Sequence, residues 1–293
     1  MHMAEFDIAP DPEADGLTTM LDGLDASGQP VNLPVVAERP LTIYLNGQEI
    51  VTAMSLGDHI RELAVGFLYN QNMLSEDDVI TDIDIDLDID VVVVRTEKQT
   101  NYESKLKKKI RTSGCAQGTV FGDIMDRFEQ ISLNPDVRLS VSQLMALSKT
   151  INTAPSLYLK AGAIHGCVLC TPERPVAYVE DIGRHNAVDK IAGHMFLNGI
   201  SGHDKVFYTT GRLTSEMVIK TVIMNIPILV SRSGFTEAGV RLAREAGLTL
   251  IGRAKGSRFV ALSAPERISF DSDVKMDSTS EQKSPQRQFN DAE

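Results

Sequence analysis

The second half of the sequence predicts an α/β layer structure with helices packed on a mixed or parallel sheet. Beyond Pro155, segments typical of strands alternate with amphipathic segments typical of helices. The strand-like segments are SLYLKAGAI, PVAYVED, KVFYTT, PILVS, LTLIG and RFVALS, and the helical ones are RHNAVDKIAGHMFL, TSEMVIKTVIMN and TEAGVRLAREA. Because 42% of the 293 residues are hydrophobic, the chain can bury the core that such layers require.

Residues 39–112 predict a smaller N-terminal subdomain of hairpin, helix and strand. The segment LTIYLNGQEIVTAMS alternates apolar and polar residues on both sides of Asn46-Gly47, a dipeptide typical of tight hairpin turns. The segment DHIRELAVGFLYNQNM then places apolar residues at helical spacing. The run DIDIDLDIDVVVV has the period of two expected of one half-exposed strand. A strand spreads its aspartates along a line, so we interpret them as a solvated face and not as a calcium site.

Composition predicts two disordered tails and excludes several classes of protein. Residues 1–38 are acidic with little hydrophobic periodicity, and residues 269–293 are polar, so both segments are expected to be disordered. A net charge of −11 argues against an extended nucleic-acid surface. Apolar runs are too short to cross a membrane, and the acidic start does not resemble a signal peptide. We therefore expect a cytoplasmic protein that binds neither nucleic acid nor membrane.

Three cysteines do not form a disulfide framework, so each is interpreted as a thiol. Cys115 lies in the Gly-bracketed segment TSGCAQG, ahead of a helix predicted around FGDIMDRFEQI. A helix N-terminus and the basic run SKLKKKIR would both favour its thiolate, although that run also fits a solvated helix face. Cys167 and Cys170 follow His165 closely and suggest a zinc site. As strand residues, however, they would face opposite sides, which favours buried thiols.

Three strand-loop-helix connections share one predicted edge of the sheet. They cover residues 180–186, 209–216 and 231–237 and carry Arg184, Arg212 and Arg232. Free N–H groups at the helix starts would bind phosphate or a nucleotide there, or Thr214, Ser215 and Thr236 would simply cap the helices. Residues 253–258, RAKGSR, fit either a diphosphate clamp or a solvated hairpin tip. The role of His185, as a cap, a base partner or an acid/base group, stays open.

Six segments, found in order between Arg39 and Ile268, resemble the formate dehydrogenase accessory sulfurtransferase (FdhD) family. They are LTIYLNGQEI to GFLYNQNML, TSGCAQG, KAGAIHG, EDIGRHNAVDK, TGRLTSEMVIK and LTLIGRAKGSRF. The resemblance implies a three-layer core similar to cytidine deaminases over residues 113–268 and a homodimer. It also implies transfer of sulfur from a cysteine desulfurase to the molybdenum bis(molybdopterin guanine dinucleotide) cofactor of formate dehydrogenase, with no tightly bound metal of its own.

The resemblance also assigns site residues. Cys115 matches the cysteine that carries sulfur as a persulfide, and Arg253, Ala254, Lys255, Gly256, Ser257 and Arg258 match the stretch assigned to cofactor binding. The helix starts, with Arg184, His185, Ser215 and Ser233, fit the guanine nucleotide portion. Many family members have a second cysteine three residues after the first, where this chain has Gly118. Two other functions stay open: a cofactor-binding chaperone that carries no sulfur, and a zinc deaminase that uses His165, Cys167 and Cys170.

Overall fold

A computed structural model describes residues 6–98 and 121–271, which form a mixed α/β protein. The helices are α1 (Ile60–Asn70), α2 (Phe121–Gln130), α3 (Val141–Thr153), α4 (Leu157–Ala161), α5 (Arg184–Leu197), α6 (Ser215–Ile223) and α7 (Glu237–Glu245). The strands are β1 (Thr18–Leu24), β2 (Pro30–Val36), β3 (Arg39–Leu45), β4 (Gln48–Ser55), β5 (Ile80–Asp86), β6 (Val91–Thr96), β7 (Leu139–Ser140), β8 (His165–Cys170), β9 (Pro175–Asp181), β10 (Val206–Thr209), β11 (Ile228–Ser231), β12 (Thr249–Lys255), β13 (Arg258–Ser263) and β14 (Ile268–Ser269).

The main sheet has six strands in the order β13-β12-β11-β10-β8-β9. Strands β10, β11 and β12 are parallel, whereas β8, β9 and β13 are each antiparallel to a neighbour. Side chains of α2, α5, α6 and α7 pack on one face of this sheet, and side chains of α3 pack on the other. The prediction of helices on a mixed sheet is confirmed.

The N-terminal subdomain is a second sheet, in the order β4-β3-β6-β5, with α1 packed against it. Asn46 has φ +54° at the β3–β4 turn, which confirms the predicted hairpin. The prediction of one strand over the acidic run DIDIDLDIDVVVV is wrong, because the run contributes to two antiparallel strands, β5 and β6. Its turn includes an Asp88 N–H that donates to Asp86 Oδ1 (3.0 Å) and Asp90 at φ +55°. Aspartate adopts such positive φ more readily than most residues.

Two further predictions are corrected by the structure. The segment SLYLKAGAI, predicted as a strand, contains the short helix α4, and Ser156 Oγ caps it by accepting from Tyr158 N. Residues 6–36 were predicted to be part of a disordered tail, yet β1 and β2 pair over their whole length. The hairpin is anchored at its base, where Leu17 and Val36 pack with Leu157 and Ile164. Of the predicted C-terminal tail, residues 272–293 lie outside the described part.

Helix α1 packs directly against α5 and so joins the two sheets. A Cβ at Gly66 would lie 1.7 Å from the carbonyl oxygen of Asp189, and one at Gly193 would lie 1.9 Å from that of Glu62. Only glycine permits this approach, since real Cβ contacts are never so short. Within the described ranges, every helix is too short or too polar to span a lipid bilayer.

Candidate functional site

The predicted strand-loop-helix connections meet at one edge of the main sheet. Strands β9, β10 and β11 all end there, and their loops lead into α5, α6 and α7. The Leu213 N–H donates to the carbonyl of Gly234 (2.9 Å), which ties two loops together. Since β8 runs in the opposite direction, its first residue, His165, lies at the same edge. The chain therefore gathers three helix N-termini and two histidines, His165 and His185, in one place.

The first cavity, of about 540 Å³, lies between the main domain and the N-terminal subdomain. The first turn of α5 forms one wall with Arg184 and His185, and Glu216 and Lys220 of α6 lie beside it. The N-terminal subdomain contributes Met54 of β4 and, from α1 and the residue after it, Phe67 and Gln71. This cavity is thus shared by both parts of the fold.

The second cavity, of about 550 Å³, shares His165 with the first. Arg232, Ser233 and Lys255 line one side of it, and Tyr158 and Leu159 of α4 line another. The Arg253 N–H donates to the carbonyl of Ser233 (2.7 Å), so the end of β12 lies against the loop after β11. Cationic side chains therefore line both cavities, as a binding site for an anionic ligand requires.

Asp181, the last residue of β9, fixes the start of α5. Its Oδ1 accepts from the Gly183 N–H (3.1 Å) and from Asn186 Nδ2 (2.9 Å). Its Oδ2 accepts from Ser55 Oγ (2.8 Å) at the end of β4. Asn186 Nδ2 also donates to the carbonyl of Met54 (2.7 Å). One buried carboxylate thereby holds the first turn of α5 against the N-terminal subdomain.

Lys190 adds a buried cation to this network. Its Nζ lies 2.7 Å from Asp181 Oδ2 and 2.5 Å from Asp58 Oδ1, and it donates to the carbonyl of Glu180 (3.0 Å). Burial lowers the pKa of Lys190, but the two aspartates outweigh burial and raise it above its usual value. Lys190 is therefore an ammonium ion, and its charge is balanced by the carboxylates of Asp181 and Asp58.

A second buried ion pair connects α5 to α6. Lys220 Nζ donates to both oxygens of Asp189, at 2.8 and 2.7 Å, and Asn70 Nδ2 donates to Asp189 Oδ1 (2.7 Å). Burial raises the pKa of Asp189 despite these partners. The ion pair thus connects the segments GRHNAVDK and TGRLTSEMVIK, and the hydrogen bond from Asn70 connects the end of α1 to both.

His185 is an uncharged ring at the wall of the first cavity. Burial, together with the nearby charges of Lys220 and Arg184, lowers its pKa to about 3. Its Nε2 lies 3.3 Å from Glu216 Oε2, but the angle does not meet hydrogen-bond criteria. Burial and the cations outweigh this single carboxylate, so the imidazole is neutral at pH 7.

Comparison with known proteins identifies the family. The FdhD/NarQ family matches residues 36–269 of the sequence. The chain belongs to the FdhD/NarQ family. It is 32% identical to the sulfur carrier protein FdhD of Bacillus subtilis, over 80% of this chain and 90% of that protein. It is 31% identical to the Wolinella succinogenes protein of the same name, over 76% of this chain and 78% of that protein.

A solved structure shares the fold. It is a crystal structure from Desulfotalea psychrophila, described as a formate dehydrogenase accessory protein, with 29% sequence identity and a TM-score of 0.71. The similarity covers 86% of this chain and all of that one. The region that matches the FdhD/NarQ family starts at residue 36, which is the last residue of the hairpin β1–β2. The rest of that hairpin lies before the matched region.

The residues assigned by resemblance to the FdhD family occupy different positions. Arg184 and His185 line the first cavity, and Ser233 and Lys255 line the second. Ser215 begins α6 and is half-buried. Around the β12–β13 turn, Arg253, Gly256, Ser257 and Arg258 are exposed, whereas the side chain of Ala254 packs in the core. Cys115 and the basic run before it lie outside the described residues.

Sequence patterns did not reveal the residues that the N-terminal subdomain contributes. Ser55, Asp58 and Gln71 join the site through contacts with residues far along the chain. The segment GFLYNQNML does contain Gln71, yet its helical period indicates only an apolar face. The available signal for its role was its position, since Gln71 is a polar residue directly after the end of α1.

Cys167 and Cys170 are buried on opposite faces of β8, as predicted. Cys167 packs with the cluster under α5 and α6, and Cys170 packs with the cluster under α3. Burial raises the pKa of Cys167 to about 12 and that of Cys170 further. The two thiols cannot bind one metal ion together with His165. No group of three His, Cys, Asp or Glu side chains in residues 6–98 and 121–271 is arranged to hold a metal ion.

Proposed function

We propose that this chain is a sulfurtransferase that carries sulfane sulfur as a persulfide on Cys115, from a cysteine desulfurase to the molybdenum cofactor of formate dehydrogenase. Membership of the FdhD/NarQ family, with relatives named sulfur carrier proteins, supports the sulfur-carrying part. One structural observation carries the cofactor part: two cation-lined cavities meet at the sheet edge where three helices begin.

Loading is a thiol-persulfide exchange. The Cys115 thiolate attacks the outer sulfur of the donor's persulfide, a new S–S bond forms, and the donor cysteine leaves as a thiolate. On delivery, the S–S bond breaks: the outer sulfur passes to the cofactor, and Cys115 is left as a thiolate. The molybdenum centre supplies the two electrons that reduce the sulfane sulfur to sulfide. This route needs no resolving thiol, so Gly118 is compatible with it.

In this proposal, the segment between Cys115 and α2 would bring Cys115 to the first cavity. Helix α2 begins at Phe121, six residues after Cys115, and six extended residues span up to about 20 Å. Asn72 Nδ2 donates to the carbonyl of Asp123 (3.4 Å) in the first turn of α2. Asn72 is the neighbour of Gln71, which lines the cavity.

The molybdenum bis(molybdopterin guanine dinucleotide) cofactor is the substrate in this proposal. Its phosphates would bind Arg184 beside the first cavity and Lys255 beside the second, with the exposed turn 253–258 adding Arg253 and Arg258. Backbone N–H groups at the starts of α5, α6 and α7 would add to the binding of anions. Ser215 and Ser233 would contribute hydroxyl groups from two of these connections.

Three finer features belong to the same proposal. The main sheet between two helical layers would correspond to the core of cytidine deaminases, without a zinc site. The chain would act in the cytoplasm as a homodimer. A homodimer would double the number of cavities that are available to one cofactor with two guanine dinucleotides.

Intact mass spectrometry after incubation with a cysteine desulfurase and cysteine tests the proposal. We expect a gain of one sulfur atom in the wild-type chain, localised to Cys115 by peptide mapping. The Cys115→Ser variant should gain none and should fail to activate formate dehydrogenase in cells, whereas Ser113→Ala, in the same segment, should behave as wild type. Full activation by Cys115→Ser would instead support a chaperone that binds the cofactor without carrying sulfur.

A further inference from the structure

Buried polar atoms without hydrogen-bond partners occur in the lining of the first cavity. They include Gln71 Oε1 and both ring nitrogens of His185, and Oδ1 of Asn70, the neighbour of Gln71, is also unpaired within the ranges that the structure describes. Gln71 is 6% exposed and Asn70 is 1% exposed. Because more than nine in ten buried polar groups in proteins are paired with protein or ordered water, a ligand that enters the cavity would find unused acceptors here.

The lining of this cavity combines oxygen acceptors with cations. Gln71, which follows the last residue of α1, and Glu216, in the first turn of α6, are the acceptors. The first turn of α5 adds the cation of Arg184. A molecule that matches this lining has N–H donors and an anionic group.

We propose that Gln71 determines ligand specificity in this cavity by accepting a hydrogen bond from a 2-amino-4-oxopyrimidine ring. Guanine and pterin share this ring, and its ring N–H and exocyclic amine are adjacent donors. Gln71 Oε1 accepts from the amine, Glu216 provides a second acceptor, and Arg184 binds the phosphate. This inference rests on the proposed function for the identity of the substrate, and it adds a residue of the N-terminal subdomain to the binding site.

Calorimetric titration of the full-length chain with GMP, IMP and AMP tests the proposal, because IMP differs from GMP only in lacking the exocyclic amine. We expect GMP to bind about tenfold more tightly than IMP, the effect of one hydrogen bond. Gln71→Met keeps the side-chain volume and should weaken GMP to the affinity of IMP without changing IMP. Gln48→Met, at the exposed start of β4, should keep the preference.

Several outcomes would overturn the inference. Measurable binding of GMP and IMP with equal affinity would do so, as would tight binding of AMP. An equal loss of GMP and IMP binding in Gln71→Met would show that Gln71 only maintains the structure.

A parallel titration with 6-carboxypterin separates the two sources of the ring. Binding of GMP alone assigns the cavity to guanine, binding of 6-carboxypterin alone assigns it to pterin, and binding of neither overturns the inference. If the wild-type chain fails to load sulfur but still prefers GMP, the proposed function fails while the inference about Gln71 stands.

Discussion

Asp189 of α5 and Lys220 of α6 form a bidentate ion pair in the protein interior, with oxygen-nitrogen distances of 2.7 and 2.8 Å. The side chain of Asp189 is 2% exposed and that of Lys220 is 8% exposed. The pair also receives Asn70 from the N-terminal subdomain. It therefore joins three helices that surround the first cavity, and its loss should affect the whole fold.

Lys220→Met should lower the free energy of unfolding by about 3–5 kcal/mol, because it leaves the carboxylate of Asp189 buried without its cation. Urea denaturation measures this loss. The double variant Asp189→Asn/Lys220→Met removes both charges and should recover part of it. The deficit of the single variant should also shrink as pH falls, since its Asp189, with a raised pKa, is neutralised by protonation. A deficit that is independent of pH would contradict this account.

His185→Gln should reduce the sensitivity of the fold to acid. The folded chain protonates His185 only near its pKa of about 3, whereas the unfolded chain does so near 6.5. Between these two pKa values the unfolded state binds more protons than the folded state. The free energy of unfolding therefore decreases as the pH is lowered, by up to about 1.4 kcal/mol per pH unit. Urea midpoints between pH 7 and 4 should fall less steeply in His185→Gln than in the wild type. His203→Gln, an exposed control, should follow the wild type.

Gly66→Ala and Gly193→Ala should each destabilise the contact between α1 and α5. The added methyl carbon would lie within 2 Å of a backbone oxygen of the facing helix, so the helices must separate. We expect losses of about 3 kcal/mol or more, at the upper end of overpacking effects. Thermal unfolding measures them, with Gly47→Ala, where a methyl group meets open space, as the matched control. Wild-type stability in either helix variant would disprove the close contact.

Lys255→Gln should weaken binding of GDP by about two- to fivefold, because the exposed cation beside the second cavity interacts with phosphate through solvent. The difference should disappear at high salt, where such charges are screened. Titration at two ionic strengths measures both effects. Lys149→Gln on α3 removes an equal charge outside the lining of either cavity and should leave the affinity unchanged. An equal loss in both variants would point to net charge and not to a site.

Local sequence patterns were sufficient for the elements that carry their own signals. The segment RHNAVDKIAGHMFL was predicted as a helix with the same bounds as α5, since its polar start and apolar face need no distant contact. The strand period of two likewise placed Cys167 and Cys170 on opposite faces. The shared sheet edge followed from the alternation of strands and helices, because β10 and β11 are parallel.

Elements whose stability comes from distant residues were not predictable. The alternating aspartates continue through the β5–β6 turn, so their period conceals the position where Asp90 reverses the chain. The hairpin β1–β2 has an acidic composition typical of disorder, and its anchors, Leu157 and Ile164, lie more than 100 residues away in sequence. Lys220 meets Asp189 across 31 residues, and charge alone does not select that partner.

The burial of Cys167 and Cys170 simplifies thiol labelling of the folded chain, because it leaves Cys115 as the one cysteine that they do not obscure. Both thiols are enclosed and protonated, so a maleimide or disulfide reagent has no access to them while the fold is intact. Any thiol labelling of the native chain is therefore assigned to Cys115, and the further labelling that appears in denaturant measures unfolding. An experiment that targets Cys115 with a dye, spin label or crosslinker does not require removal of Cys167 or Cys170.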